Sequence, residues 1–458
     1  MSTKPSVNVS DLINHAPISR FQVMVALLCF FVVALDGFDT AAIGFIAPAI
    51  GGQWGLAPPQ LAPLFGAGLF GLMTGAFLFG PLSDRFGRKT ILTVCVAVFG
   101  VMSLASSWSP SLAMLIALRF LTGLGLGGAM PNAVTLTSEF CPEKHRLLLV
   151  TTMFCGFTLG SAIGGLASAQ IVADHGWRAV LVIGGLLPLA LTPVLIFRMP
   201  ESVRFLVAEN RPRAAIVAAL KPIAPGRDFD GAEFVLSHPK PAGLPVARLF
   251  KRDRVVGTLL LWTTFFASLL IIYLLSSWLP LLMKSTGQTL KTASIVTSMF
   301  QIGGTTGAIA LGWLMDRTNP HWVLAASYTL AALFIAAIGA LGFSPWAIAF
   351  AVFGAGLCVS GSQVGANALA ASFYPTECRA TGVSWANGVG RSGSVLGSMA
   401  GGIMMSMGLD LPTLFLIVAA PALVGGACMA ALGLHRMPAG RARTERTPTA
   451  VTAASSEV

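Results

Sequence analysis

The feature that most restricts this chain is a succession of apolar runs, each about 20 residues long, separated by short polar or charged stretches. A helix needs roughly 20 mostly apolar residues to cross a bilayer, and it satisfies its own backbone polar groups there. Twelve such runs can be traced, near residues 21–46, 60–81, 90–108, 111–138, 148–172, 177–197, 255–282, 293–315, 322–342, 345–372, 380–406 and 411–434. The expected fold class is an all-α polytopic membrane protein with twelve transmembrane helices in two six-helix halves. Of the 458 residues 55% are hydrophobic and 10% charged, against about 25% charged in a soluble domain.

The net charge of +11 raises the question of nucleic acid, and the placement of the charge answers it. When the runs are threaded alternately through a membrane, 24 of the 29 Lys and Arg fall on the side that carries both termini. Cytoplasmic loops hold such an excess, so both termini are expected in the cytoplasm, and no nucleic-acid partner is expected. The polar start, MSTKPSVNVSDLINHAPISR, lacks the apolar core of a signal peptide, so the first span is expected to insert and stay. The seven cysteines include no C-x-x-C pair and read as small buried hydrophobes.

The expected organisation is a cytoplasmic N-terminus (1–20), a first six-helix half (21–197), a cytoplasmic central loop (198–254), a second half (255–434) and a disordered cytoplasmic tail (435–458). In the loop, RPRAAIVAALKPIA reads as a short surface helix limited by Pro212 and Pro222. The halves look duplicated. GPLSDRFGRK, with Gly80, Asp84 and Arg85, returns as GWLMDR, with Gly312, Asp316 and Arg317, 232 positions later; FCPEKHR returns as FYPTECR, ending in Arg379, after 233. Parallel repeats of six helices are one of the transporter plans, with the site at mid-membrane between the halves.

Two carboxylates interrupt the first run, in LDGFDTAAIGF. Asp36 and Asp39 lie on one helix face, with Thr40 one turn beyond Asp36. Charge at membrane depth costs at least about 2.5 kcal/mol and usually serves a pathway. A carboxylate pair in a cavity can bind and release a proton near neutral pH; the plainer reading is that one of them braces a helix. Arg119, inside the fourth run, needs a buried carboxylate or an anionic substrate, or else clamps neighbouring carbonyls. Arg391 stands between glycines in the eleventh run, where a substrate carboxylate can approach it closely; gating is its other reading. In GPLSDRFGRK, Gly80 and Gly87 permit tight turns, and Asp84 sits beside Arg85, Arg88 and Lys89 as a charge clamp able to hold helix ends and release them.

That loop resembles the signature of the major facilitator superfamily, G-x-x-x-D-R-x-G-R-R/K. Gly80, Asp84, Arg85, Gly87, Arg88 and Lys89 match it throughout. The resemblance implies a gating latch at these residues and, in the second copy, at Asp316 and Arg317. LDGFDTAAIGFIAPAI, MPNAVTLTSE, PESVRFLV and YPTECRATGVSW are similar to stretches of the aromatic acid:proton symporter family, whose first-helix pattern is D-G-x-D. It implies proton coupling at Asp36 and Asp39, binding of a benzoate-like anion, and bacterial inner-membrane residence. It also favours gating roles for Glu139, which is otherwise a solvated helix end, for Arg379, and for His321, whose titration range suits a pH switch. Ser161 occupies the place where antiporters of the superfamily usually have Pro, which agrees with symport.

An aromatic ring needs an apolar slot, for which Phe266 and Tyr273, with Gln301 to bond a hydroxyl, are candidates; packing against lipid or protein is the plainer reading of each aromatic. The glycines at 156, 160, 164 and 165 read as close helix packing. There is no P-loop G-x-x-x-x-G-K-[ST] and no metal-ligand spacing, so neither enzyme chemistry nor a cofactor is expected, and an ion gradient must supply the energy. The expected function is a secondary transporter importing a monocyclic aromatic carboxylate with protons, acting as a monomer. A porter for another acid, a sugar or a drug, or a sensor of aromatic acids, stays open at this level.

Overall fold

The computed structural model describes residues 6–227, 229, 232–235, 249–250, 254–340, 344–374 and 378–436. A short strand β1 (Ser6–Asn8) and helix α1 (Val9–His15) precede six long helices: α2 (Arg20–Trp54), α3 (Pro58–Phe86), α4 (Arg88–Ser106), α5 (Leu112–Phe140), α6 (Glu143–His175) and α7 (Trp177–Arg198). Two short helices, α8 (Val203–Ala208) and α9 (Arg213–Leu220), and strand β2 (Glu233–Val235) follow. The second six are α10 (Val255–Ser285), α11 (Leu290–Arg317), α12 (Pro320–Ala340), α13 (Pro345–Phe373), α14 (Arg379–Ser406) and α15 (Leu411–Arg436).

Each long helix falls on one of the twelve apolar runs, and several outlast it by a turn or more; some of them begin at a polar cap. The Ser19 side chain accepts from the Gln22 backbone at the start of α2, and Ser111 and Thr289 do the same for α5 and α11. Gly87 stands at φ 102° between α3 and α4, a conformation L side chains rarely adopt, and so breaks one helix and begins the next. Eleven of the twelve are long and apolar enough to cross a membrane among the described residues. The other is α14, whose 28 residues include seven glycines and five serines.

The duplication read from two loops is written into the helix packing. A Cβ on Gly71 or Gly75 of α3 would strike the carbonyls of Phe120 and Leu124 of α5; one on Gly303 or Gly307 of α11 would strike those of Phe353 and Leu357 of α13. Likewise Gly160 and Gly164 of α6 lie on Ala34 and Phe38 of α2, and Gly393 and Gly397 of α14 lie on Phe266 and Leu270 of α10. Every pair recurs at an offset of 232 or 233. Small residues let backbones approach where lipid supplies no hydrophobic drive between helices, which bears out the packing role expected for the glycines of α6.

Three apolar cores place the site. One joins both halves at the face opposite the termini, where Ile46, Ile50 and Leu61 meet Leu275, Leu279 and Met283. There Phe65 packs on Trp278 with ring centroids 4.8 Å apart, Gly66 abuts Met399, and the Lys284 ammonium donates to the Pro48 carbonyl at 3.3 Å. Toward the terminal face the core divides: one cluster belongs to the first half with α1, α8 and α9, the other to the second half. The halves therefore cohere at the far face and part toward the terminal face.

The sequence reading assigned no element to the N-terminus and one short helix to the central loop, whereas β1 pairs in parallel with β2, Ser6 opposite Glu233, and α1 buries Val9, Leu12 and Ile13. Within RPRAAIVAALKPIA the helix is α9, beginning after Pro212 and ending before Pro222 as the prolines require. The tail beyond residue 436 lies outside the described residues.

Candidate functional site

Halfway along α2 both carboxylates are buried, Asp36 and Asp39 each 1% exposed. The helix can lie close to α6 because Gly37 meets the Phe157 carbonyl without a side chain between them. Ser161 seals that contact by donating to the Gly37 carbonyl at 2.8 Å, so a hydrogen bond across helices is the part this position plays here.

Arg119 of α5 resolves the choice of partner in favour of Asp39. Its two terminal nitrogens donate to Asp39 Oδ1 at 3.0 Å and Oδ2 at 2.7 Å, and one also reaches the Asp39 carbonyl at 3.3 Å. Ser103 of α4 donates to the same Oδ1 at 2.9 Å. The fork-to-fork geometry is the strong form of the interaction. Asp36 is held more loosely: Thr40 donates to its Oδ1 at 3.1 Å, and its Oδ2 has no hydrogen-bond partner among the described residues. The two neighbouring acids are therefore held differently, one locked and one half free.

Arg391 of α14 approaches from the other half. It donates to the Tyr273 hydroxyl at 3.0 Å and lies 3.7 Å from the Met130 sulfur, and its charge acts on Asp36. No carboxylate lies within ion-pair reach of it among the described residues. Arg119 and Tyr273 both line a cavity of about 30 Å3 with Thr40, Phe65, Leu69 and Ser277. A small-molecule pocket takes roughly 300–1,000 Å3, so the space is contracted in this conformation.

Of the ring-slot candidates, Tyr273 is on the cavity wall. Phe266 is half-buried and not on it, its backbone packed on Gly393. Gln301 is buried, with its amide donating to Ser276 at 3.3 Å, one residue from the wall.

At the terminal face Asp84 pairs with Arg88 at 2.7 Å, while Arg85 turns over Phe86. The same helix junction also holds a segment that the sequence reading did not place there. The Lys89 backbone donates to Glu201 at 3.1 Å, Gly87 lies against the same carboxylate, and Arg88 stacks over Phe205 at 5.4 Å. Glu139 accepts a hydrogen bond from Ser202 and feels the charges of Arg88 and Arg204. The second copy is looser: Asp316 and Arg317 are exposed, Arg317 lying 4.1 Å over Trp313. GWLMDR lacks the basic residues that follow the first copy, which is why Asp316 has no equivalent of Arg88. Gly80, expected at a tight turn, instead lies within α3, the break being made by Gly87 alone, and both Gly80 and Gly312 face open space. His321 is buried at the start of α12, its Nδ1 3.0 Å from the Asn319 side chain. The Arg379 side chain lies outside the described residues.

Sequence reasoning missed Ser103, Phe65 and the Glu201–Ser202 pair. A serine or phenylalanine in an apolar run gives no signal of the face it occupies, and PESVRFLV was noticed only as a family resemblance.

Comparison with known proteins finds relatives that span nearly the whole chain. The family model described as Major Facilitator Superfamily matches residues 29–292 and 261–456. The chain is 45% identical to a gallate transporter of Pseudomonas putida, covering 96% of this chain and 98% of that protein. It is 47% identical to the 4-hydroxybenzoate transporter PcaK of the same species, covering 93% and 96%. Among solved structures, the inward open xylose transporter XylE from E. coli aligns with a TM-score of 0.71 at 15% identity over 89% of this chain and 96% of that one, a likeness of fold.

Proposed function

Because the chain belongs to the Major Facilitator Superfamily, a family of transporters and not of enzymes, and groups there with the aromatic acid:proton symporters, we propose that it imports a monocyclic aromatic carboxylate of hydroxybenzoate or gallate type with protons. The observation that carries the reading is the buried pairing of Asp39 with Arg119 beside an Asp36 whose Oδ2 is unpartnered and an Arg391 that has no carboxylate. A cation without an anion and a carboxylate oxygen without a donor are the two ligand sites that symport of an acid and a proton requires.

In this reading the substrate carboxylate docks on Arg391 beside Tyr273, and Asp36 takes the proton. Asp39 is the second acid of the relay, released when Arg119 turns to the substrate. The sign of the coupling follows: an anion on Arg391 without a proton on Asp36 leaves excess negative charge in the closed site, and a proton without an anion leaves excess positive charge. Closure is favoured with both or neither.

With both termini in the cytoplasm of the bacterial inner membrane, as the Lys and Arg distribution indicates, this conformation opens inward. The parted cores at the terminal face support that orientation. The Asp84–Arg88 pair, Asp316, Arg317, Glu139, His321 and Arg379 then belong to the gate that closes in the outward state. The reading takes one chain as the transport unit, since a single chain supplies both six-helix halves.

The test is uptake of radiolabelled 4-hydroxybenzoate by cells lacking their own aromatic-acid importers, with and without a protonophore, for the parent and for Asp39→Asn. Accumulation abolished by the protonophore and by the substitution is the expected result. Failure of the parent to accumulate any of a panel of aromatic acids overturns the reading.

A further inference from the structure

The second half contains a polar group that the proposed function leaves unused. Gln363 of α13 is 8% exposed, and neither the nitrogen nor the oxygen of its side-chain amide has a hydrogen-bond partner among the described residues. An amide has two donors and two acceptor sites, and burying it with none of them used is costly, so such a group in a folded protein calls for an explanation.

Its position follows from its neighbours. One turn along α13, the Asn367 side chain accepts a hydrogen bond from Asn387 of α14 at 3.0 Å. The two helices are consecutive spans and run antiparallel. One turn toward the far face from that contact is therefore Gln363 on α13 and Arg391 on α14, at the same depth. Arg391 in turn donates to Tyr273 on the cavity wall. Helices whose axes lie about 8–10 Å apart are in contact, so side chains at one depth on the two can both reach a single small ligand lodged beside their seam.

We propose that the Gln363 amide is the hydroxyl-reading group of the site. With the substrate carboxylate on Arg391, the Gln363 Oε1 accepts the hydrogen bond of a ring hydroxyl and its Nε2 donates to a hydroxyl oxygen. The proposal deepens the aromatic-carboxylate reading and rests on it. It assigns to Gln363 the task that the sequence suggested for Gln301, whose amide is already engaged by Ser276. Asn367 and Asn387, bonded to each other, hold the two helices in register so that the amide and the guanidinium face one ring.

The experiment compares parent, Gln363→Leu and Gln363→Asn for inhibition of labelled 4-hydroxybenzoate or benzoate uptake by benzoate, 4-hydroxybenzoate, protocatechuate and gallate. Gln363→Leu is expected to weaken the hydroxylated acids roughly tenfold or more while leaving benzoate within about twofold of the parent. The thermal midpoint of the purified ligand-free protein is expected to stay level or rise, because no hydrogen bond is lost. Equal weakening of benzoate and the hydroxylated acids means a packing role and overturns the proposal. An unchanged inhibition profile overturns it in favour of a cavity water as the amide's partner. In both cases the functional reading stands, because the parent still transports; a parent that takes up no aromatic acid overturns both together.

Discussion

Removing one member of the Asp39–Arg119 pair should cost far more than removing both. Arg119→Leu deletes two charge-assisted bonds to the carboxylate, at 3.0 and 2.7 Å, and leaves Asp39 with the Ser103 hydroxyl alone. With charge centres about 4 Å apart and an effective dielectric of about 20, the lost attraction is roughly 4 kcal/mol. That agrees with the roughly 3–5 kcal/mol typical of breaking a buried pair, whereas replacing both members by groups of similar volume is often neutral. The unpartnered Arg119 Nε adds nothing to the single loss. The assay is thermal unfolding of detergent-purified protein for the parent, Arg119→Leu, Asp39→Asn and the double variant, with uptake measured in parallel. The two single variants should unfold well below the parent and the double variant close to it, and none of the three should accumulate substrate. A double variant as unstable as Arg119→Leu, or a single variant as stable as the parent, would show that the pair is not the desolvated unit its geometry implies.

Asp36→Asn keeps the Thr40 contact but removes the proton site, so it should retain exchange of internal for external substrate while losing protonophore-sensitive accumulation; loss of exchange as well would contradict the division between the two acids. Gly393→Val drives a side chain into the Phe266 carbonyl of α10 and should lower the thermal midpoint strongly, while Gly66→Ala meets only the flexible Met399 side chain and should be mild. The reverse order would refute the packing argument. Pro59→Cys with Gly402→Cys joins the halves at the far face, where a Cβ on residue 402 lies 3.3 Å from the Pro59 Cα. In a background without the seven native cysteines, oxidation should stop transport and reductant restore it; continued transport when fully crosslinked would mean that the far face does not open.

The spans were legible in the sequence to within a few turns, because lipid demands long apolar runs and those runs leave little choice of fold. The repeat was legible from two loops, and the glycine contacts of α3, α6, α11 and α14 repeat its offset residue for residue. Asp36, Asp39 and Arg119 stood out because charge is rare in such runs. Which acid meets the arginine was not legible, since α2 and α5 are 80 positions apart at that contact and only packing sets their register. The pairing of β1 with β2 spans more than 220 positions and leaves no local pattern. Gln363 escaped notice because an uncharged amide disturbs hydropathy little, and its lack of partners is a property of the folded surroundings.

The composition of α14 has a consequence for how the chain is made. A segment rich in glycine and serine, with an arginine at its centre, gains too little from acyl chains to leave the translocon by itself. It must be released together with neighbours that cover it, and α10, whose backbone fits its glycines, has emerged long before. Integration of the second half is therefore an assembly step as well as a partitioning step, in which α14 enters the bilayer against α10 and α3, the earlier helices that its glycines pack on.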